Sequence, residues 1–365
     1  MPVTESTPPL PAYPLLEKLP ALDGARGLAV LLVLGDHASD AGMRLFPGAD
    51  LNRAGKYGVY LFFVLSAFLL TLQLSMKPRE DLIQVWTWMA YALRRFLRIF
   101  PPYAVALGAY VLMRKLELMD LVQHLALREG VRHFWTIPVE VKYYVLLPAL
   151  AVSLFWGWRR HWLLGVGCLI CTCALAIGLS IIDRRWALRE AVLLAPNLAP
   201  FLIGSALAII YSALLRNTAA RARFAPWLEA AAFIAAATLA MRLPAINDLF
   251  FTSKPLLGKE FDPAVCGVLW SVFLLGVLHG TGLLAACLKW NVLRYIGVIS
   301  FSMYLWHGKF LNDVDDFPAP APVRLLVYVA VVAAVATVAY LLVERPLARL
   351  RLRASANEPG KNPAI

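Results

Sequence analysis

Apolar segments long enough to cross a bilayer recur along almost the whole chain of 365 residues. A membrane-spanning helix needs about 20 apolar residues, because each residue adds ~1.5 Å and the hydrocarbon core is ~30 Å thick. Hydrophobic residues make up 60% of the sequence and charged residues 16%, whereas soluble domains are roughly half apolar and a quarter charged. One soluble core cannot bury this excess. The sequence predicts an integral membrane protein and argues against a soluble enzyme, a disordered regulator or a secreted disulfide scaffold.

The segments predict an all-α polytopic membrane protein, a bundle of about ten transmembrane helices. The predicted spans are residues 22–43, 57–76, 100–119, 139–158, 161–182, 192–215, 225–243, 263–284, 292–311 and 322–343. We therefore expect a cytoplasmic tail over residues 1–20, a transmembrane domain over 21–345 and a basic cytoplasmic tail over 346–365.

The net charge of +12 is explained by the orientation of the chain in the membrane and not by a nucleic-acid partner. Lys and Arg are retained in cytoplasmic loops, and here they dominate the loops that lie on the same side as both termini. An even number of spans places the two termini together, so both are predicted to be cytoplasmic. The basic residues are scattered between apolar segments and form no stripe for nucleic acid. The cysteines at 168, 171 and 173 lie inside an apolar run, which favours a helix and no metal site.

Ionisable residues within the first span are candidates for function, because charge in a membrane is costly. Arg26 precedes His37 by eleven residues, so their side chains lie on one helical face about 16 Å apart along the axis. Asp36 stands beside His37. The alternative interpretation is structural, with Arg26 reaching to lipid headgroups and His37 forming hydrogen bonds within the bundle.

Arginines gather before the third span in the sequence RRFLRIFPPY, where Arg95 and Arg98 project from one helical face. Guanidinium groups bind phosphate in a bidentate manner, although an orientation signal that contacts anionic lipid explains the cluster equally well. Pro101 and Pro102 are expected to break or restart the helix directly afterwards.

Polar and aromatic residues in three other segments are further candidates. Ser66 lies in the second span. Glu140 opens the fourth span after His133 and Trp135, where a carboxylate can orient an imidazole or bind a sugar hydroxyl. In the sequence SFSMYLWH, Tyr304 and His307 share a helical face. No HExxH pattern occurs, and no metal is expected.

Taken together, these segments resemble the acyltransferase-3 family of membrane O-acyltransferases. The resemblance runs from Arg26 and His37 through YGVYLFFVLSAF, RRFLRIFPPY and the Trp-Thr-Ile-x-x-Glu pattern to ISFSMYLWH and the terminal VERP. It implies a ten-helix enzyme of the bacterial inner membrane that moves an acyl group, usually acetyl, from cytoplasmic acyl-CoA to a hydroxyl, often on a glycan at the outer face.

The resemblance also implies residue roles. Arg26 and His37 fill an Arg-x10-His motif, Arg95 and Arg98 fill an Arg-x-x-Arg motif, and Ser66 fills the serine of a Ser-Gly-Phe motif whose glycine is here Ala67. On this basis Arg26, Arg95, Arg98 and Ser66 are expected to bind acetyl-CoA, with His37 as general base or transient acyl carrier and Asp36 or Glu140 orienting it. Trp135, His133, Tyr304 and His307 are expected to contact the acceptor.

The predicted function is therefore O-acylation of a cell-surface or exported glycan, or of a lipid-linked saccharide, by an enzyme in contact with membrane lipid. Two alternatives stay open at this point. The same site would serve transfer to a small metabolite such as a macrolide antibiotic. A different class, a proton-coupled transporter, would use His37, Asp36 and Glu140 as its proton relay.

Overall fold

A computed structural model describes residues 19–46, 48–216, 218–243, 246, 262–279 and 282–356, and in these ranges it contains helices and no strand. The predicted N-terminal tail lies outside the described residues except for 19 and 20. The predicted C-terminal tail is described as far as 356. The predicted all-α class is confirmed for the described part of the chain.

Fourteen α-helices of six residues or more carry the fold in the described ranges. They are α1 Pro20–Asp40, α2 Ala54–Ser75, α3 Val85–Leu112, α4 Leu118–Leu125, α5 Thr136–Ala151, α6 Trp162–Trp186, α7 Leu198–Arg216, α8 Thr218–Ala240, α9 Pro263–His279, α10 Leu283–Leu288, α11 Asn291–Val298, α12 Ser300–Asp315, α13 Ala321–Ala339 and α14 Arg345–Ala356. Short π-helical turns, Val152–Gly157 and Tyr340–Glu344, follow α5 and α13.

Several helical segments have the length and apolar composition needed to cross a membrane. Five meet both conditions among the described residues: Ala54–Ser75, Arg132–Arg160, Trp162–Trp186, Ala195–Leu214 and Ala321–Leu350. Ala54–Ser75 is central, with 78% of its apolar window buried, whereas the other four carry exposed large apolar side chains. Only 11% of the apolar window in Trp162–Trp186 is buried inside the bundle, as expected for surface that faces lipid. The chain is a multi-pass membrane protein. The count of ten spans and the cytoplasmic position of both termini stay predictions.

The third predicted span, 100–119, is wrong at both ends. The helix runs from Val85 to Leu112 and continues through Pro101 and Pro102 without a break. A proline removes one backbone hydrogen bond, but a packed helix in a membrane tolerates this loss when neighbouring groups compensate for it. Pro102 is buried against the bundle. The arginines at 95 and 98 therefore belong to the same continuous helix as the apolar residues that follow them.

The ninth predicted span, 292–311, is interrupted at Ile299, where α11 ends and α12 begins. Glycines permit a very close approach of α11 to the start of α1. A Cβ atom added at Gly297 would lie 1.7 Å from the carbonyl oxygen of Asp23, which no side chain can occupy. The short α11 can thus pack closely on α1. The chain turns at Ile299, and α12, which begins at Ser300, then packs along α1.

The contacts between helices define two ends of the bundle. Gly297 lies against Asp23 near the start of α1, and His307 stacks on His37 near its end, so α12 runs in the same direction as α1. α2 runs in the opposite direction to α1, because Gly55 near its start lies beside Asp36 near the end of α1. We call the two ends the Pro20 end and the Asp40 end, after the first and last residues of α1.

A buried ion pair fixes α5 against α6. Lys142 donates to the carboxylate of Asp183 and also to the carbonyl oxygen of Val192 at 2.7 Å. The second oxygen of Asp183 accepts the backbone N–H of Leu194 at 2.8 Å. The two side chains are only 14% and 4% exposed. All of these groups are paired, so the interaction holds α5, which carries Glu140, in a fixed position.

Replacing Lys142 with methionine is expected to destabilise the protein by about 3–5 kcal/mol, because Asp183 would keep its charge in a buried place without a partner. Thermal unfolding of the purified protein in detergent measures the effect. The control is Lys309→Met, which removes the pair with Asp313, a side chain 43% exposed, and should cost ~0–1 kcal/mol. Equal shifts of the melting temperature for the two variants would contradict the structural role of Lys142.

Candidate active site

A cavity with an empty volume of about 570 Å³, counting its open mouth, lies between α1, α2, α3, α5 and α12. Five of the residues proposed from the sequence line it: Arg26, Ser66, Arg98, Glu140 and Tyr304. These residues come from five different helices, so the fold gathers them from positions up to 278 residues apart (304 minus 26). Aromatic and aliphatic side chains complete its wall. We call this space the first cavity.

Glu140 is held in the first cavity by two hydroxyl groups. Ser66 donates from Oγ to Oε1 of Glu140 at 2.6 Å, and the hydroxyl of Tyr144 donates to the same oxygen. Glu140 and Tyr144 are one turn apart on α5, whereas Ser66 lies on α2, so this arrangement joins the two helices. Hydrogen bonds to an ionised acceptor are the stronger kind. The carboxylate is therefore fixed in orientation and faces the cavity.

The cations at this site divide into two groups. Arg26 and Arg98 line the first cavity, but Arg95 does not. The guanidinium carbon of Arg95 lies 5.8 Å from the ring centroid of Tyr144, and its buried Nε has no hydrogen-bond partner. Two guanidinium groups thus face the cavity beside one carboxylate, Glu140. This balance favours an anionic ligand, and arginine is well suited to bind phosphate groups.

Three histidines form a cluster on the Asp40 side of the first cavity. The rings of His37 and His307 are stacked with centroids 5.1 Å apart, and the rings of His133 and His307 are 4.3 Å apart. His307 has its Nδ1 2.7 Å from the carbonyl oxygen of Tyr304. Because a carbonyl only accepts, Nδ1 carries the proton and Nε2 keeps a lone pair. That Nε2 is buried and has no hydrogen-bond partner.

Tyr304 connects this histidine cluster to the first cavity. Its hydroxyl donates to the carbonyl oxygen of His133 and accepts a hydrogen bond of 2.8 Å from Oγ1 of Thr136. Tyr304 and Thr136 both line the cavity, whereas none of the three histidines does. The cluster therefore lies directly behind the cavity wall, next to it but separated from it in this conformation.

Two other proposed residues lie at the edges of the site. The carboxylate of Asp36 accepts backbone hydrogen bonds from Arg53 and Gly55 at the start of α2. One ligand atom each of Asp36, His37 and Asp40 also lie within 4.8 Å of one another. Asp36 therefore lies beside His37, and its backbone hydrogen bonds also hold the start of α2 in place. Trp135 packs its ring edge-on against Phe63, 6.2 Å between centroids, and not against the cavity itself.

The sequence reasoning missed the partners that organise the site. Tyr144 lies four residues after Glu140, and this helical spacing is the signal in the sequence that places the two side chains together. Nothing in the sequence predicts that His133 meets His307, because the two are far apart in the chain.

The trio Asp36, His37 and Asp40 is the group of possible metal ligands that converges among the described residues. The cysteines at 168, 171 and 173 are free thiols.

An all-helical membrane bundle with cations and a hydrogen-bonded carboxylate around a central cavity is an arrangement suited to group transfer within a membrane. The chain belongs to the acyltransferase-3 family: the model of the family described as "Acyltransferase domain" matches residues 19–344. The match covers every residue of the site described above.

Relatives of known description share this domain. The chain is 24% identical over 370 residues to the putative peptidoglycan O-acetyltransferase YrhL of Bacillus subtilis (strain 168), covering 90% of this chain and 55% of the relative. It is 23% identical to the peptidoglycan O-acetyltransferase OatA of Listeria monocytogenes, covering 90% and 56%. A putative O-acetyltransferase of Staphylococcus aureus (strain COL) is 21% identical, covering 94% and 59%.

The chain thus spans little more than half the length of these relatives. No solved structure matches the chain.

Proposed function

We propose that this protein is a membrane-embedded O-acetyltransferase that takes an acetyl (acyl) group from cytoplasmic acyl-CoA and transfers it to a hydroxyl of a cell-surface or exported glycan. One observation carries the proposal: in a chain of the acyltransferase-3 family, two arginines and a fixed carboxylate share a cavity that adjoins a histidine cluster. Relatives named as peptidoglycan O-acetyltransferases support acetyl as the group and a glycan as the acceptor.

The donor enters the first cavity from the Pro20 end. Arg26 and Arg98 bind its phosphates by charge-assisted hydrogen bonds, and the pantetheine arm extends along α1 toward His37. This direction requires the Pro20 end to face the cytoplasm, in agreement with the predicted cytoplasmic termini and inner-membrane location. The cavity wall at Tyr304 must move for the thioester to reach the cluster, because the histidines do not line the cavity.

His37 then removes the proton from the acceptor hydroxyl as general base. The oxygen attacks the thioester carbonyl, the carbon–sulfur bond breaks, and the CoA thiolate leaves and takes up a proton from the imidazolium. In a covalent variant His37 attacks the thioester carbonyl, the carbon–sulfur bond breaks and the CoA thiolate leaves. The acceptor hydroxyl then displaces the imidazole from the acyl group, and its proton goes to the thiolate. His307 supports either course, because its ring stacks on the His37 ring and holds that ring in orientation.

The test is thioester cleavage by purified wild-type protein in lipid nanodiscs. We expect acetyl-CoA to be consumed, and the acetyl group to appear on an added oligosaccharide in an amount equal to the CoA released. Mass spectrometry of the protein after exposure to acetyl-CoA alone distinguishes the two courses, since the covalent one leaves an acetylated chain. Movement of an oligosaccharide across a vesicle membrane without any thioester cleavage would replace this proposal with the transporter interpretation.

A further inference from the structure

A second cavity lies on the other side of the histidine cluster. Its empty volume is about 380 Å³, again counting its opening, and it is lined by Tyr110, Lys115, Leu116, Val131, Arg132, Phe134 and Gly308.

The second cavity is displaced from the first in one direction along two helices. On α12 the first cavity is lined by Ser300, Phe301 and Tyr304 and the second by Gly308, which lies about 6 Å of helix beyond Tyr304. On α3 the corresponding residues are Arg98 and Tyr110, about 18 Å apart. The second cavity thus opens toward the Asp40 end.

Gly308 brings this second cavity into contact with the cluster. A Cβ atom added there would lie 2.6 Å from Cε1 and 2.8 Å from Nδ1 of His133, so only a hydrogen atom fits between the helix and the imidazole. The other ring nitrogen, Nε2, lies 3.4 Å from the carbonyl oxygen of Leu305. Nδ1 of His133 therefore keeps a lone pair on the side of Gly308. Gly308 lines the second cavity on one side and contacts His133 on the other, so a glycine backbone is what separates the cavity from the cluster at this place.

The second cavity is lined by cations and no acid. Lys115 and Arg132 are exposed at its rim, and in the described part of the chain neither forms an ion pair. The nearby Asp313 is paired with Lys309. Arg132 has a φ of 53°, a left-handed conformation uncommon for a residue with a side chain. Buried rings of Tyr110 and Phe134 form the floor, and flat aromatic surfaces of this kind pack against the apolar faces of sugar rings.

From this geometry we infer that the second cavity is the acceptor site and that it selects hydroxyl-bearing saccharides that also carry an anionic group, a carboxylate or a phosphate. The inference rests on the proposed function. Donor and acceptor then approach the histidine cluster from opposite ends of the bundle. Lys115 and Arg132 hold the acceptor's negative charge, and Gly308 is the thin wall between the acceptor and His133, which must move for the hydroxyl to reach the cluster.

The experiment compares two acceptors of equal length, a neutral amino-sugar oligosaccharide and the same oligosaccharide carrying carboxylates. Binding to the protein in zwitterionic nanodiscs is measured by thermophoresis, and transfer is measured by release of CoA. We expect about tenfold tighter binding and a correspondingly lower KM for the carboxylated acceptor. The double variant Lys115→Gln and Arg132→Gln should lose this preference and bind the two acceptors equally well.

Arg114→Gln is the matched control, because Arg114 adjoins Lys115 and also has a positive φ, 55°, but does not line the cavity. It should keep the preference. An equal affinity for both acceptors, or loss of the preference in Arg114→Gln, would overturn the inference while leaving thioester cleavage intact. A preference that disappears when phosphatidylglycerol is added to the nanodiscs would instead assign the two cations to a lipid headgroup. Absence of cleavage by the wild type would refute the proposed function, and the binding measurement would still test the acceptor site.

Discussion

Replacing His37 with alanine is expected to lower kcat for acetyl transfer by about 10²- to 10⁴-fold, the range that a positioned general base contributes. His37 is the member of the cluster on the same helix as Arg26, and its ring stacks on His307. His307 has its Nδ1 engaged by a carbonyl and is buried deeper, so it cannot replace His37 without rearrangement. CoA release by the purified variant in nanodiscs measures the loss.

A control must separate chemistry from folding, because alanine leaves a gap in a packed bundle. His279→Ala offers this control. His279 is buried, and its ring packs edge-on against Tyr211, which is not part of the cluster. Both variants are expected to show a lower melting temperature, but only His37→Ala should lose transfer. Equal transfer by His37→Ala and the wild type would remove His37 from the mechanism.

Helical periodicity in the sequence predicts neighbours on one helix, but it does not predict contacts between helices. The helical repeat places Arg26 and His37 on one face, and the structure keeps both on the continuous helix α1. Spacing within one helix is local, so the sequence contains it. Ser66 and Glu140 are 74 residues apart, and their hydrogen bond depends on how α2 packs against α5. Such packing is decided by the whole bundle and leaves no periodic pattern in the chain.

The prolines of α3 show the opposite case, in which a strong local rule gave a wrong boundary. Pro101 and Pro102 predict a break in an isolated helix, but the surrounding bundle holds the helix together from Val85 to Leu112. The consequence concerns function. A continuous α3 places Arg98 in the wall of the first cavity and Tyr110 in the wall of the second. One rigid element therefore connects the two proposed substrate sites.

Replacing Arg98 with glutamine is expected to raise KM for acetyl-CoA by about 10- to 100-fold with a smaller change in kcat. A hydrogen bond to a charged group contributes about 1.5–3 kcal/mol, and each 1.4 kcal/mol is a factor of about ten. Arg98 faces the first cavity from α3 and Arg26 faces it from α1, so two different helices supply guanidinium groups for the phosphates of one donor. Initial rates over a range of acetyl-CoA concentrations give KM and kcat separately.

Arg95→Gln is the matched comparison, since it makes the same change one turn earlier on the same helix. The sequence predicts phosphate binding by both arginines, but the structure places only Arg98 at the cavity and packs Arg95 over the ring of Tyr144. A residue that acts through Tyr144 affects the orientation of Glu140, so Arg95→Gln should lower kcat and leave KM for acetyl-CoA nearly unchanged. If Arg95→Gln raises KM as strongly as Arg98→Gln does, then Arg95 leaves Tyr144 and contacts the donor directly. In that case the donor site must open further toward the Pro20 end than it does in this conformation.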